Sequence, residues 1–237
     1  MKNDRGATVR YAFRQSLPVM FGYLFLGAAF GLVLRQAGYA PVWSLLISGL
    51  VYAGSLQFAL VGLLTQGAAL PTVALMSLFI NSRHLFYGLS FVEKFRTMGR
   101  RRPYMIFSLT DETYSVLCGM QPPPEVDEKQ AMFLVALFNQ VYWVAGSVLG
   151  GLAGGLPLDF TGIDFSMTAL FLVIFLGQWE SSKSHLPAIA GLVCGVVFLL
   201  LLGPDLFLLP ALLTTVFILL LARPAVLKKT EAEKEDV

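Results

Sequence analysis

Charge is what this sequence has least of. Asp, Glu, Lys and Arg make up 14% of the 237 residues while 56% are hydrophobic, and a water-soluble domain needs roughly 25–35% of its surface charged. A soluble globular domain is therefore excluded. The few charges collect at the termini and in short breaks, leaving apolar runs at 17–34, 40–64, 70–92, 104–119, 130–157, 165–180, 186–203 and 205–222. A spanning helix takes about 17–25 apolar residues, so most runs qualify, and 104–119 and 165–180 are short. The fold class expected is all-α and polytopic.

Other absences narrow the chemistry. The chain has 2 cysteines, Cys118 and Cys194, without CxxC spacing or nearby histidines, which argues against a zinc site or a disulfide framework and reads them as buried small hydrophobes. No metal or cofactor is expected. No GxxxxGK[ST] loop is present, so ATP hydrolysis by that route is excluded, although a role as the membrane half of a pump stays open. The net charge is +2, and the basic residues flank membrane runs rather than forming a stripe, so they report orientation and not a nucleic-acid partner. The first run follows Lys2, Arg5, Arg10 and Arg14 like a signal peptide. It contains Gly22, Gly27 and Gly31, lacks a small-residue cleavage site and leads into further runs, so it is expected to stay.

Two basic clusters should face the cytoplasm, the N-terminal tail (1–16) and "KFRTMGRRRP" (94–103). An even number of crossings must separate them, yet three runs intervene, so one fails to cross. The suspect is 40–64, where Gly54, Ser55 and Gln57 interrupt the apolar pattern; such backbone is tolerated at membrane depth when protein or water surrounds it. A shift of 124 residues lays Gly22, Gly27 and Gly31 over Gly146, Gly151 and Gly155, and "AGSLQ" (53–57) over "GQWES" (177–181). The expectation is two inverted helical repeats with interrupted or re-entrant segments. It places the first half at 17–118, an extracytoplasmic loop at 119–129, the second half at 130–222 and a cytoplasmic tail at 223–237. Seven or eight complete crossings is the competing picture. Paired interrupted segments mark secondary transporters with a substrate site near the midplane.

Ionisable groups at that depth cost about 2.5–3.5 kcal/mol each and commonly carry function. In "INSRHLFYGLS" (80–90), Ser77, Asn81, His84 and Gly88 fall on one helical face while Arg83 points about 200° from Asn81. "LTDETYS" (109–115) puts Asp111 and Glu112 in the middle of a short run, as partners for Arg83. That pair staples two helices, or one member or His84 changes protonation or meets substrate. Gln57 and Gln178 offer uncharged donors and acceptors in the two interrupted runs. The candidate substrate-binding or coupling residues are thus Gln57, Asn81, Arg83, His84, Asp111, Glu112 and Gln178. Phe58, Phe79, Leu85 and Phe86 are candidate pocket walls. The small face Gly146, Gly150, Gly151, Gly154 and Gly155 permits close helix approach. An intramembrane serine protease fails because "AGSLQ" does not present a strained, glycine-flanked nucleophile, and no enzymatic activity is expected. A membrane scaffold, or a permease subunit of another complex without ion coupling of its own, is the alternative.

"FGYLFLGAAFGL" (21–32), "YAGSLQFALVGLL" (52–64), "NSRHLFYGLS" (81–90) and "LTDETYSV" (109–116), in that order, resemble the large subunit of AzlC-type branched-chain amino-acid exporters of the LIV-E family. The resemblance is strongest before residue 120. It implies efflux of leucine, isoleucine, valine or similar amino acids through the bacterial inner membrane, driven by an ion gradient, together with a small AzlD-type membrane subunit. The carboxylate of such a substrate would find Arg83 or an opened helix N-terminus, and its ammonium Asp111 or Glu112.

Overall fold

Asp4 starts the first helix: its side chain accepts from the Gly6 N–H at 2.8 Å, and α1 then runs unbroken from Arg5 to Gln36 through Pro18. The segment expected as a tail is thus mostly helix. The computed structural model describes residues 4–156, 165, 172, 175–176, 179–180, 185–203, 207 and 210–221, apart from the side chains of Arg83, Leu85 and Phe86. Among the described residues there is no strand. The helices of the first unit (1–170) are α1, α2 (Pro41–Leu50), α3 (Gly54–Thr65), α4 (Leu70–Arg96), α5 (Arg102–Phe107), α6 (Asp111–Gly119) and α7 (Glu128–Ala153). The second unit (171–237) contains α8 (Leu186–Leu202) and α9 (Pro210–Leu221), with Cys194 buried and Trp179 stacked on His185 at 4.0 Å. Cys118, expected to be buried, is exposed on α6.

Helices α1 and α7 are long and apolar enough to cross a bilayer, and they form the spine of the first unit. Glycine sets their separation. A Cβ on Gly27 would lie 2.7 Å from the Trp143 carbonyl oxygen, and one on Gly146 would lie 2.6 Å from that of Leu24. On Gly31 or Gly150 it would overlap the Ser147 or Ala28 carbonyl outright. Small residues allow backbones to touch in this way, and van der Waals contact then replaces the hydrophobic drive that lipid does not supply.

These contacts pair low numbers with low and high with high, so α1 and α7 run parallel. The basic ends agree. Asp4 N–H donates to the Glu125 carbonyl at 3.1 Å, Asp127 N–H to Thr8 Oγ1 at 3.2 Å and Gln121 N–H to the Tyr11 hydroxyl at 3.1 Å. Lys94 meets Glu128 at 3.1 Å and Lys129 caps the Thr97 carbonyl at 3.2 Å. The N-terminal segment, 94–103 and 119–129 therefore share one end of the unit. The helices that the 124-residue shift superposes, α1 and α7, lie side by side and point the same way.

The reason lies in the short run 104–119. It does not cross but enters and returns. Tyr104 packs on Phe133 near the basic end, Thr110 reaches Tyr23 in the middle of α1, and Leu117 is back among Met132 and Val135. Thr110 makes the turn by capping α6, its hydroxyl accepting from Thr113 N–H, a bond that satisfies an orphan donor where no water is at hand. The run 40–64 does the same from the other end. Ser44 lies against Gly151, Gly49 accepts from Gln140 at 3.1 Å, and α3 climbs back until Phe58 meets Phe30. Its tip is Tyr52, a non-glycine residue at φ 43°, a left-handed conformation that is a genuine outlier for a bulky side chain. Two half-depth hairpins, α2–α3 and α5–α6, thus enter from opposite ends, separated by full-length α4.

Candidate functional site

The hairpin tips meet where α1 and α7 are midway. Tyr52 of one tip faces Phe107 of the other with ring centroids 6.1 Å apart. Around them a hydroxyl chain ties three elements together. Asn139 of α7 donates to Thr113 at 3.0 Å, Thr113 and Thr110 share a bond of 3.0 Å, and Thr110 lies 2.7 Å from the Tyr23 hydroxyl. Tyr23 in turn donates to Glu112 at 2.6 Å. Asp111 and Glu112 both occupy the first turn of α6, where the helix N-terminus offers partial positive charge. Glu112 is otherwise exposed on its own unit at this depth.

On α4, about 21 Å of helix from Leu70 and about 18 Å from Arg96 at 1.5 Å per residue, His84 Nε2 sits 3.8 Å from Asp111 Oδ1. The two side chains are 25% and 30% exposed, so the pair is neither sealed in the core nor within reach of either end. The imidazole is an ion-pair partner only when protonated, which makes the contact pH-sensitive in kind. His84 Nδ1 lies 3.2 Å from the Asn81 carbonyl, and its ring meets Tyr87, which stacks on Tyr114 at 4.7 Å. His84 and Gly88 line one cavity, as their shared helical face requires.

Gln57 behaves differently. It is fully buried, donates to Ser48 Oγ at 3.0 Å and accepts from Trp143 Nε1 at 2.9 Å. Its amide is committed to bracing the first hairpin against α7, so it positions the tip rather than facing a ligand. The Arg83 side chain and Gln178 lie outside the described residues. The carboxylates expected to pair with Arg83 have His84 and Tyr23 as neighbours. Tyr23, Tyr52, Thr110 and Thr113 were not singled out from sequence, yet they supply most of the polar lining. Two buried polar atoms of this zone, Asn81 Oδ1 and Asn139 Oδ1, make no well-formed hydrogen bond among the described residues. Native proteins rarely leave such groups unpaired unless water or a ligand meets them.

α3 begins at the same depth behind Ala53 with no side-chain cap, and α6 begins there with the carboxylates of Asp111 and Glu112.

Comparison with known proteins gives a consistent result. Residues 18–156 match the family described as AzlC protein. The chain is similar to the branched-chain amino acid transport protein AzlC of Bacillus subtilis, 39% identical over 219 residues, which is 92% of this chain and 86% of the relative. An uncharacterized membrane protein of Haemophilus influenzae is 40% identical over 203 residues, 85% and 83% of the two chains. The inner membrane protein YgaZ of Escherichia coli is 28% identical over 200 residues, 80% and 82%. No solved structure matches.

Proposed function

Because the chain belongs to the AzlC protein family, a family of membrane proteins, we propose that it is a secondary carrier for leucine, isoleucine, valine or similar small amino acids. It works by alternating access in the bacterial inner membrane, in the export direction, coupled to protons and assembled with a small AzlD-type subunit. The observation that carries this reading is the convergence of two opposed hairpin tips on ionisable groups at mid-depth, with His84 and Asp111 3.8 Å apart and partly exposed. Irregular backbone at that depth is tolerated only around a cavity or within protein, and half-helix ends there are a recurrent way to hold charged substrates.

In this mechanism the substrate carboxylate meets the uncapped N-terminus of α3, with Arg83, the residue before His84 on α4, as a further cation. The ammonium group meets Asp111. His84 and Glu112 exchange protons, His84 through its contact with Asp111 and Glu112 through the Tyr23 hydroxyl, so that carboxylate charge and substrate occupancy are linked. The end that gathers Arg5, Arg10, Lys94, Arg96 and Arg100 to Arg102 faces the cytoplasm by the positive-inside tendency. The acidic stretch 121–128 is compatible with that side because Lys94 neutralises Glu128.

The test is counterflow of labelled leucine in proteoliposomes containing this chain and its small subunit, with and without an imposed pH gradient. Exchange that accelerates with the gradient supports the carrier. Absence of exchange with both subunits present favours the scaffold reading instead.

A further inference from the structure

Glycine inside a membrane helix needs a reason, because it weakens the helix relative to alanine. At Gly27, Gly31, Gly146 and Gly150 the reason is contact. Gly88 of α4 belongs instead with Gly22, Gly49 and Gly62, where a built Cβ meets nothing within 4 Å. It opens onto a cavity of about 230 Å³ between α4 and residues 102–109, with His84 at its inner end and Phe95 and Arg102 at the basic end of the unit. The walls between are aliphatic, Val92 from α4 and Ile106 from α5. The volume is below the roughly 300–1,000 Å³ of drug-sized sites and suits an amino acid. Its two ends carry cationic or titratable groups, and the middle is apolar, which is the profile of an aliphatic amino acid with its charged head toward either end. A groove meant only for lipid has no use for a histidine at its inner end, about six residues or 9 Å from Ser90, next to the midpoint of α4 and in reach of Asp111.

We propose that this cleft is the cytoplasm-side route of an aliphatic amino acid to the His84–Asp111 pair, and that the missing side chain at Gly88 keeps it open. The inference rests on the carrier reading and adds to it the path and the residue that leaves room in it. A Cβ at position 88 strikes no neighbouring atom, so alanine or cysteine can be placed there while the fold is kept.

Gly88→Ala, Gly88→Phe and Gly88→Cys are made in a background with Cys118 and Cys194 replaced by alanine. Gly88→Phe is expected to melt like the parent yet to exchange leucine at least tenfold more slowly. Gly88→Ala is expected to keep valine exchange better than leucine exchange. In sealed inverted vesicles, Gly88→Cys is expected to react with a charged, membrane-impermeant thiol reagent, and leucine is expected to slow that reaction. Parental leucine exchange at the unsubstituted rate in a folded Gly88→Phe variant would overturn the proposal, as would reaction of Gly88→Cys with a lipid-soluble maleimide alone. A parent that exchanges no leucine overturns the carrier reading, whereas the labelling still reports whether the cleft is hydrated. If Gly88→Phe does not fold, the labelling and the valine-to-leucine ratio of Gly88→Ala decide.

Discussion

Replacing Gln57 with leucine removes the amide that joins Ser48 to Trp143 and keeps the volume of a buried side chain. The cost follows from which partners can recover. Ser48 can turn its hydroxyl toward a carbonyl one helical turn back, a common resort for serine, whereas the Trp143 indole N–H, buried with 3% exposure, has no such option. One orphaned buried donor costs about 1–3 kcal/mol. Interhelical hydrogen bonds in membranes are worth less than that range suggests, about 0.6 kcal/mol on average and about 1.7 at most, because the unfolded chain also finds partners. A loss of about 1–2 kcal/mol is therefore expected for Gln57→Leu in reversible unfolding from mixed micelles. Trp143→Phe in the same background removes the orphan, so the double variant should recover about 0.5–1.5 kcal/mol relative to the sum of the singles. Strict additivity would refute the brace. It would mean that the 2.9 Å bond contributes nothing and that Gln57 is free to serve a ligand.

Three further outcomes are expected. Gly150→Ala should destabilise the first unit by about 1–3 kcal/mol as an overpacked contact, read by thermal melting in detergent, because its new Cβ strikes the backbone of Ala28 and not a movable side chain; an unchanged melt would show the two helices to be further apart. Asp111→Asn should lower leucine exchange at least tenfold without altering the melt, and His84→Gln should flatten the dependence of exchange on pH across about pH 5–8, the window in which an imidazole changes charge; full activity in both would remove the pair from the mechanism. Single cysteines at positions 98 and 124 should be labelled from the same face of sealed vesicles, and labelling from opposite faces would contradict the shared end.

The break in 40–64 was legible because Gly54, Ser55 and Gln57 interrupt an apolar run, and the polar face of α4 followed from spacing alone. The second hairpin was not, although the signal existed. Thr110 followed by Asp111 and Glu112 is a helix start, with a hydroxyl cap and acidic first turn, and placed in the middle of a run it marks a tip. The end of the unit at which 121–128 lies was not legible either, because an acidic stretch reads as an opposite-side loop until Lys94 and Lys129 are seen beside it. The close-packing glycines of α7 were visible, and their partners Gly27 and Gly31 were too. What no local pattern encodes is the direction of the partner helix.

That glycine seam also divides the unit into what is welded and what can swing. Backbone against backbone, α1 and α7 have no flexible layer between them to absorb sliding, so they travel as a single chassis. Among the described residues the hairpins are held to that pair through side chains, among them the Gln57 amide, the Gln140 amide on the Gly49 carbonyl, the threonine hydroxyls and the ring contacts of Phe58 and Tyr104. In the proposed carrier the stroke is then a rocking of the hairpins against that pair.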